Sequence, residues 1–339
     1  MATEDHLDKE TSVSLALKDA GVEFKTKSRA IAVIDRMAAN FFERRGFKGE
    51  RLVQIGRQKI DIELSLIKRA SETLLKRVET DERFAESILA ATFEQDTRRQ
   101  LNKDGVIEAA LEQLSRDPPG EVDSSSGPDE LSPEFSDRFE RYAEDASTDQ
   151  LRERWGKVLA SEVKKPGTFS TKVMRVIDEL DSRTASLFER IVQYRVGETL
   201  LQPIMPELEF KEQVSLVSAG LLVDPGMAGH VTRFNGGRQD NGGAKLWLFP
   251  FGTYLVGLEQ SVALTYGTAA PIKDSEGGPA VPVYLLTDVG KALSTIIPTD
   301  ENVAGLSFYA KLKDYPPSGH VRLYAKSSNG QWQTVSAPA

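Results

Sequence analysis

Apolar positions in the first third of the chain recur at steps of three and four. From Lys27 to about Arg45 they are Ile31, Ile34, Met37, Ala38, Phe41 and Phe42, which draw one stripe along a helix. Gly46 ends it. A second run, roughly Glu50 to Glu79, carries Leu52, Ile55, Ile62, Leu66, Leu74, Leu75 and Val78 above a face dense in charge. The stretch "DERFAESILAATFEQDTRRQLNKDGVIEAALEQLSRD" continues the period and predicts one long helix or two shorter ones. The "KDG" at 103–105 is where a break is expected, because an interior glycine costs about 1 kcal/mol against alanine.

The pattern then stops. "DPPGEVDSSSGPDELSPE", 117–134, is rich in proline, serine, glycine and acid. Such a composition buries too little apolar surface to offset its ordering entropy, so a disordered acidic linker is expected over 118–134. Periodicity resumes at Phe135, Phe139 and Tyr142. Ser147 and Gln150 have the spacing of a capping box, which predicts a helix start there. Its inward stripe is Leu151, Trp155, Val158, Leu159 and Val163, and Pro166–Gly167 ends it. Ser170 is placed to cap the next helix, buried through Val173, Val176, Ile177 and Leu180. Asp181 is placed to cap a third, buried through Ala185, Phe188, Ile191 and Val192. Short amphipathic helices with tight turns make a compact three- to four-helix unit over 135–200.

Glu162 interrupts this order. It lies seven residues after Trp155, so it projects near the buried stripe, where a carboxylate needs donors. The nearest by chain are the amides of "GTFS", 167–170, and the Ser170 hydroxyl. Three readings stand: a pin for the turn between two helices, an ordinary edge glutamate, or a catalytic acid.

Beyond Glu207, "ELEFKEQVSLVSAGLLVD" reads as a helix over 207–222 with Val214, Val217 and Leu221 inward and Gly220 at its exit. "VPVYLL" reads as a strand, followed by a Thr287 cap and a helix through Val289, Ala292, Leu293 and Ile296. The segment 246–258 matches 284–296 without gaps, at Leu248 and Leu286, Gly252 and Gly290, Leu255 and Leu293. A duplicated strand–turn–helix unit would produce this match, and chance supplies matches of that length more readily. Either way two apolar strands are expected, and expected to pair. In 300–339 a short helix after Asp300 precedes a hairpin, "HVRLYAK" and "QWQTV", with Asn329–Gly330 as a two-residue turn.

Composition excludes several chemistries. With 0 cysteines there are no disulfides, thiolate metal sites or cysteine nucleophiles, which fits a reducing cytosol. The 3 histidines, His6, His230 and His320, are scattered, and no pattern predicts a metal or cofactor. "NGGRQDNGG" and "SEGGP" lack the GK[ST] ending of a phosphate loop, and no G-x-S-x-G elbow occurs. No catalytic residue is assigned and no small-molecule ligand is expected. The opening "MATEDHLDKE" is acidic, unlike a signal peptide, and no apolar run spans a membrane, so a cytoplasmic protein is expected. Net charge is -8, which gives no global pull toward nucleic acid. Residues 18–80 are locally basic, either as a surface for nucleic acid or anionic lipid or as a solvated helix face; the interleaved acids favour the latter.

"RWGKVLASEVKKPGTFSTKVMRVIDEL" followed by "TASLFERI", with "RRQLNKDGVIEAALEQL" upstream, resembles a bacterial family, the domain of unknown function 2806. The motif residues are Trp155, Leu159, Glu162, Pro166, Gly167 and Ser170, and the resemblance spans roughly 95–300. The same helix pair is similar to the abortive-infection alpha family. These resemblances imply a bacterial protein tied to phage defence or mobile elements, with no chemistry to carry over. "SAGLL", the Gly-rich tip and "LTDVGKAL" resemble the winged-helix family. A winged helix that binds DNA needs cations on its helix and wing; the candidates are Arg233, Arg238 and Lys245, against Glu207, Glu209 and Glu212.

The expected fold is mainly α with a C-terminal α+β part. Its parts are a flexible N-terminus (1–26), a helical region (27–117), the linker, the helical unit (135–200), a winged-helix-like region with a small antiparallel sheet (201–299) and a helix plus hairpin (300–339). The expected function is a non-enzymatic interaction or scaffold protein acting through protein contacts or self-association. The alternative is a winged-helix DNA-binding regulator, and behind it an enzyme whose site the sequence does not reveal.

Overall fold

The computed structural model describes residues 24–37, 82–118, 128, 131–239, 243–264, 266, 270–315, 320–327 and 330–336. The expected helix over 50–79, residues 1–23 of the N-terminus expected to be flexible over 1–26, residues 38–45 of the first stripe and most of the expected linker lie outside the described residues. The chain divides into two compact units, Met1–Thr171 and Lys172–Ala339.

The first unit is helical. Helix α1 is Phe24–Met37 and begins three residues earlier than its stripe. Ala30, Val33, Ile34 and Met37 are buried. Helix α2 is a single rod, Glu82–Arg116, without a break at 103–105. Gly105 stays helical because a neighbour needs its space: a Cβ there would lie 2.6 Å from Arg152 Cδ. Helix α3 is Pro133–Asp145. Its first turn uses the end of the expected linker. Ser132 Oγ accepts from the Phe135 amide, Pro133 opens the helix with φ already set, and Leu131 is buried. Residues 131–134 are therefore ordered, contrary to the compositional reading.

Helix α4 is Asp149–Lys164, capped by Thr148 rather than Ser147; Thr148 Oγ1 accepts from the Leu151 amide at 3.2 Å. It packs on α2 through a close crossing, where a Cβ on Gly156 would meet Ala109 Cβ at 2.5 Å. Trp155 is stacked on Tyr142 at 4.6 Å and meets Phe139 edge-on at 5.8 Å. Helices α3 and α4 thus pack on α2, upstream of the linker. The linker is a connection inside one helical unit, and the expected 135–200 unit is divided after Thr171.

The second unit opens with α5, Thr171–Glu179, which begins at the unit boundary, and α6, Ser182–Val192. Asp181 caps α6 by accepting from the Arg183 and Thr184 amides, both at 2.9 Å. Strands β1 (Arg195–Val196) and β2 (Thr199–Leu201) form a hairpin. Next come a 3-10 turn (Gln202–Ile204), helix α7 (Phe210–Ser218) and strands β3 (His230–Arg233), β4 (Asn235–Gln239), β5 (Lys245–Phe251), β6 (Tyr254–Glu259), β7 (Lys273–Ser275) and β8 (Gly278–Leu285). Helices α8 (Asp288–Ser294) and α9 (Glu301–Lys313) and strands β9 (Val321–Lys326) and β10 (Trp332–Val335) complete it.

The strands make two antiparallel sheets instead of one small one. The first has the order β1-β2-β8-β3 with β7 also on β8; the second is β10-β9-β6-β5-β4. Phe249, Val256, Val281, Val283, Phe308 and Leu323 share one core that draws on both sheets and α9. The two apolar strands expected to pair, now β5 and β8, lie in different sheets; they meet through side chains in this core. The apparent repeat also separates, since 246–258 is the β5–β6 hairpin and 284–296 is a strand end and a helix. The 230–245 segment is not a wing: β3 pairs with β8, while β4 pairs with β5 across the Gly-rich stretch. The tail joins the second sheet through β9 on β6, so 300–339 is not a separate element. Its hairpin loop is three residues, between Ser327 and Gln331, with Gly330 at φ 80°, the left-handed position such loops require.

Helix α7 is shorter than 207–222 because both ends are closed. The Glu209 amide donates to the Glu212 carboxylate at 3.0 Å. At the other end Gly220 takes φ 71°, its amide donates to Val217 O, and the Leu221 amide donates to Leu216 O, a Schellman motif with both leucines buried. Helix α8 docks on that turn. Thr287 caps α8 by accepting from the Gly290 amide at 3.1 Å, while its own hydroxyl donates to Gly220 O. The Thr287 amide donates to Leu221 O at 3.1 Å. A Cβ on Gly290 would lie 2.2 Å from Leu221 O. Backbone cannot retreat as a flexible side chain can, so Gly290→Ala is expected to lose about 1–3 kcal/mol of stability, read by urea unfolding. An unchanged midpoint would mean the α7–α8 junction is not this tight.

Candidate functional site

The motif around Glu162 is a helix end. The α4 C-terminus leaves carbonyls without intrahelical partners, and the turn after it leaves amides without partners. Glu162 is 2% exposed and answers the amides: Oε1 accepts from Gly167 N at 2.6 Å and Oε2 from Phe169 N at 2.9 Å. Gly167 has φ 88°, which turns its amide back toward the helix. Pro166 lies in the turn, Phe169 is buried at its end, and α5 begins directly after Ser170. Leu159 and Trp155 are buried one and two turns before Glu162. Burial pushes the Glu162 carboxyl above its ordinary 4.5, opposed by the hydrogen bonds from Gly167, Phe169 and Thr168.

The carbonyls are answered by a residue that no sequence pattern singles out. Arg29 of α1 is fully buried, and its guanidinium donates to Pro128 O at 2.7 Å, Val163 O at 3.2 Å and Lys164 O at 3.3 Å. Its partners lie 99 to 135 residues away, so no local pattern could have pointed to it. A cation at a helix C-terminus also meets the negative end of the dipole. Lys164 pairs with Asp117 at 2.7 Å, away from Glu162, so the two do not form an acid–base couple. A second buried polar tie closes the α3–α4 turn. Asn102 Nδ2 donates to Glu144 O at 2.7 Å, and Arg152 donates to Asn102 Oδ1 at 2.9 Å and to Ala146 O at 3.1 Å.

The basic candidates are divided between the two sheets. Arg233 is exposed at the end of β3 and donates to Ser275 Oγ at 3.1 Å. Arg238 and Lys245 lie on β4 and β5 of the other sheet. A different charged group has formed where β6 ends. Glu259 accepts from Arg322 at 2.6 Å and meets His320 Nδ1 at 2.8 Å. The His320 hydrogen bond, with Arg322, holds the Glu259 carboxyl below its usual range. It ties β6 to β9. Among the described residues no group of three or more His, Cys, Asp or Glu could hold a metal ion, and no helix is long and apolar enough to cross a membrane.

The other unusual surface is α7. Its inward residue is Leu216, whereas Phe210 is 82% and Val214 45% exposed, against the expectation that Val214 faces the core. Four residues apart, they share one stripe. Val223, Met227 and Val231 follow, also exposed. Five of the eight large apolar side chains exposed among the described residues therefore fall within 210–231. Singly scattered exposed apolar residues need no explanation, whereas Phe210 and Val214 lie on one face of one helix.

Residues 91–215 match the model of a family described as Protein of unknown function (DUF2806). The match runs from α2 through the Glu162 turn into α7 and stops well short of residue 300. No curated protein and no solved structure matches the chain.

Glu162→Ala removes both acceptors and leaves the Gly167 and Phe169 amides without partners in a buried turn. It is expected to cost about 1–3 kcal/mol at neutral pH, read by urea unfolding. The pH dependence has a defined sign. Because the folded pKa is raised, the folded state holds the proton more tightly, so wild type gains stability as pH falls from neutral toward 4.5. The variant lacks that gain, and the difference between the two should widen on acidification. Equal stability at both pH values would remove the role of Glu162 in the turn.

Proposed function

We propose that the chain acts by binding another protein through the surface that α7 and the following turn present. The single observation that carries this is Phe210, 82% exposed on a helix closed at both ends. A large aromatic held rigidly in water is the kind of side chain that anchors interfaces. The surrounding topology supports a winged-helix-like reading of the unit. Strands β2, β8 and β3 lie side by side in that order, α7 sits between β2 and β3 in the chain, and Thr287 caps the helix after β8.

In a DNA-binding protein of that shape α7 would be the reading helix and would need free cations. Its one cation, Lys211, is paired with Glu209 at 2.7 Å. Arg238 and Lys245 lie on the other sheet, which leaves Arg233 alone on β3. Each phosphate contact needs a cation, so protein contact is the better-supported use. On this reading the chain is a non-enzymatic, cytoplasmic bacterial interaction protein. A link to phage defence or mobile elements rests on sequence resemblance alone.

Tagged wild-type protein and the Phe210→Ser, Val214→Ser double variant should be compared in affinity capture from a bacterial lysate. At least one protein retained by wild type is expected to be lost with the variant, and duplex DNA at low salt is expected not to bind. Identical capture by both proteins, or salt-sensitive DNA binding, would overturn the proposal.

A further inference from the structure

The exposed stripe carries information about its partner's charge. Over 207–231 the chain has the acids Glu207, Glu209, Glu212 and Asp224 against one base, Lys211. Two of the acids are compensated. Glu209 pairs with Lys211 at 2.7 Å, and Glu212 is held by Arg190 of α6 at 3.0 Å. Glu207 and Asp224 have no cationic partner among the described residues; Asp224 Oδ1 accepts only the Gly226 amide. Both are exposed. Glu207 precedes α7 and Asp224 follows it. In chain order a carboxylate without a cationic partner among the described residues therefore stands before and after the apolar stripe, and the lysine between them is paired with Glu209.

Resting on the protein-contact reading above, we infer that the α7 surface takes a cationic amphipathic helix of a partner protein, one apolar face flanked by Lys or Arg. The apolar stripe Phe210–Val214 is one helix face wide, and a facing helix covers such a stripe with residues at i, i+3, i+4 and i+7. The flanking charges then choose among helices. A basic rim on the partner meets Glu207 and Asp224, whereas an acidic rim repels them, and a polyanion such as DNA is repelled in the same way. Rim charges of this kind act on association rate and are screened by salt; the apolar anchor acts on residence time.

The probe is a fluorescein-labelled synthetic amphipathic peptide of leucine and lysine, with leucine at helix-face spacing. A leucine–glutamate peptide of the same pattern and a labelled DNA duplex are the comparisons, each titrated with the full-length protein by fluorescence anisotropy. The leucine–lysine peptide is expected to bind saturably. Phe210→Ser with Val214→Ser should weaken it by about tenfold or more. Glu207→Gln with Asp224→Asn should weaken it by a smaller factor that disappears at high salt. All these positions are exposed, and circular dichroism of each variant checks that the fold is kept.

Equal binding of the leucine–glutamate peptide, lost with the Phe210 and Val214 substitutions, would overturn the charge inference and leave protein contact standing. Lysine-peptide binding that ignores those substitutions would overturn this surface as its site. Duplex binding lost with the same substitutions would overturn both the inference and the protein-contact reading. Concentration-dependent self-association abolished by Phe210→Ser, seen by light scattering, would replace the cationic helix by a second copy of this chain.

Discussion

The end of α4 is the constraint on which the helical unit depends. A buried helix terminus has carbonyls to satisfy, and the turn that leaves it has amides to satisfy. Here two charged side chains from opposite directions do both. Glu162 reaches forward from the helix to Gly167 and Phe169, and Arg29 reaches in from a helix far upstream to Val163, Lys164 and Pro128. Either group removed would leave partners stranded in a dry place, which costs more than the net worth of the bonds themselves. The consequence is topological. Arg29 fixes α1 against α4, and Glu162 fixes the turn that follows α4.

The second unit shows how caps decide what a helix buries. The apolar residues of α7 and its exit would cover two faces if the helix ran on through Leu222. It does not run on. Glu212 closes the start, Gly220 closes the end, and the leucines at 216 and 221 turn inward around the Schellman motif. Thr287 and the absent Cβ of Gly290 lock that turn under α8. Phe210 and Val214 are left on the outer side of a nine-residue helix whose rotation is already set. Their exposure follows from the end geometry, and no local rearrangement could bury them without breaking a cap.

Signals that act over three or four residues were readable from the chain. Asp181 caps where it is placed to cap, Pro166–Gly167 stops α4, and Thr287 starts α8. Small errors came from competing short-range choices, as where Thr148 rather than Ser147 takes the cap. Composition misled at Ser132–Pro133, since the residues that favour linkers also favour helix starts. The β9–β10 hairpin was readable from its turn, but pairing between distant strands was not, because β5 and β8 are both apolar on account of a shared core and hydrophobicity does not say which edge meets which. Arg29 was beyond reach for the opposite reason. Its chemistry lies in three backbone carbonyls, which every residue has, at positions fixed only once the fold exists.

The same reasoning separates the two uses of a helix laid against a small sheet. Reading DNA requires cations whose charge is not already spent, because the favourable step is release of counterions from phosphate. On α7 the lysine is paired with Glu209, and Glu207 and Asp224 have no cationic partner among the described residues. Binding a protein requires instead a rigid apolar anchor whose ordering entropy is lost before the partner arrives. A phenylalanine on a doubly capped helix meets that requirement, since the backbone beneath it cannot adapt and the ring has few rotamers to lose. Charge and rigidity are independent properties of the sequence here, one set by side chains at 207–224 and the other by Gly220, Thr287 and Gly290. Both support the proposal of a protein partner rather than nucleic acid.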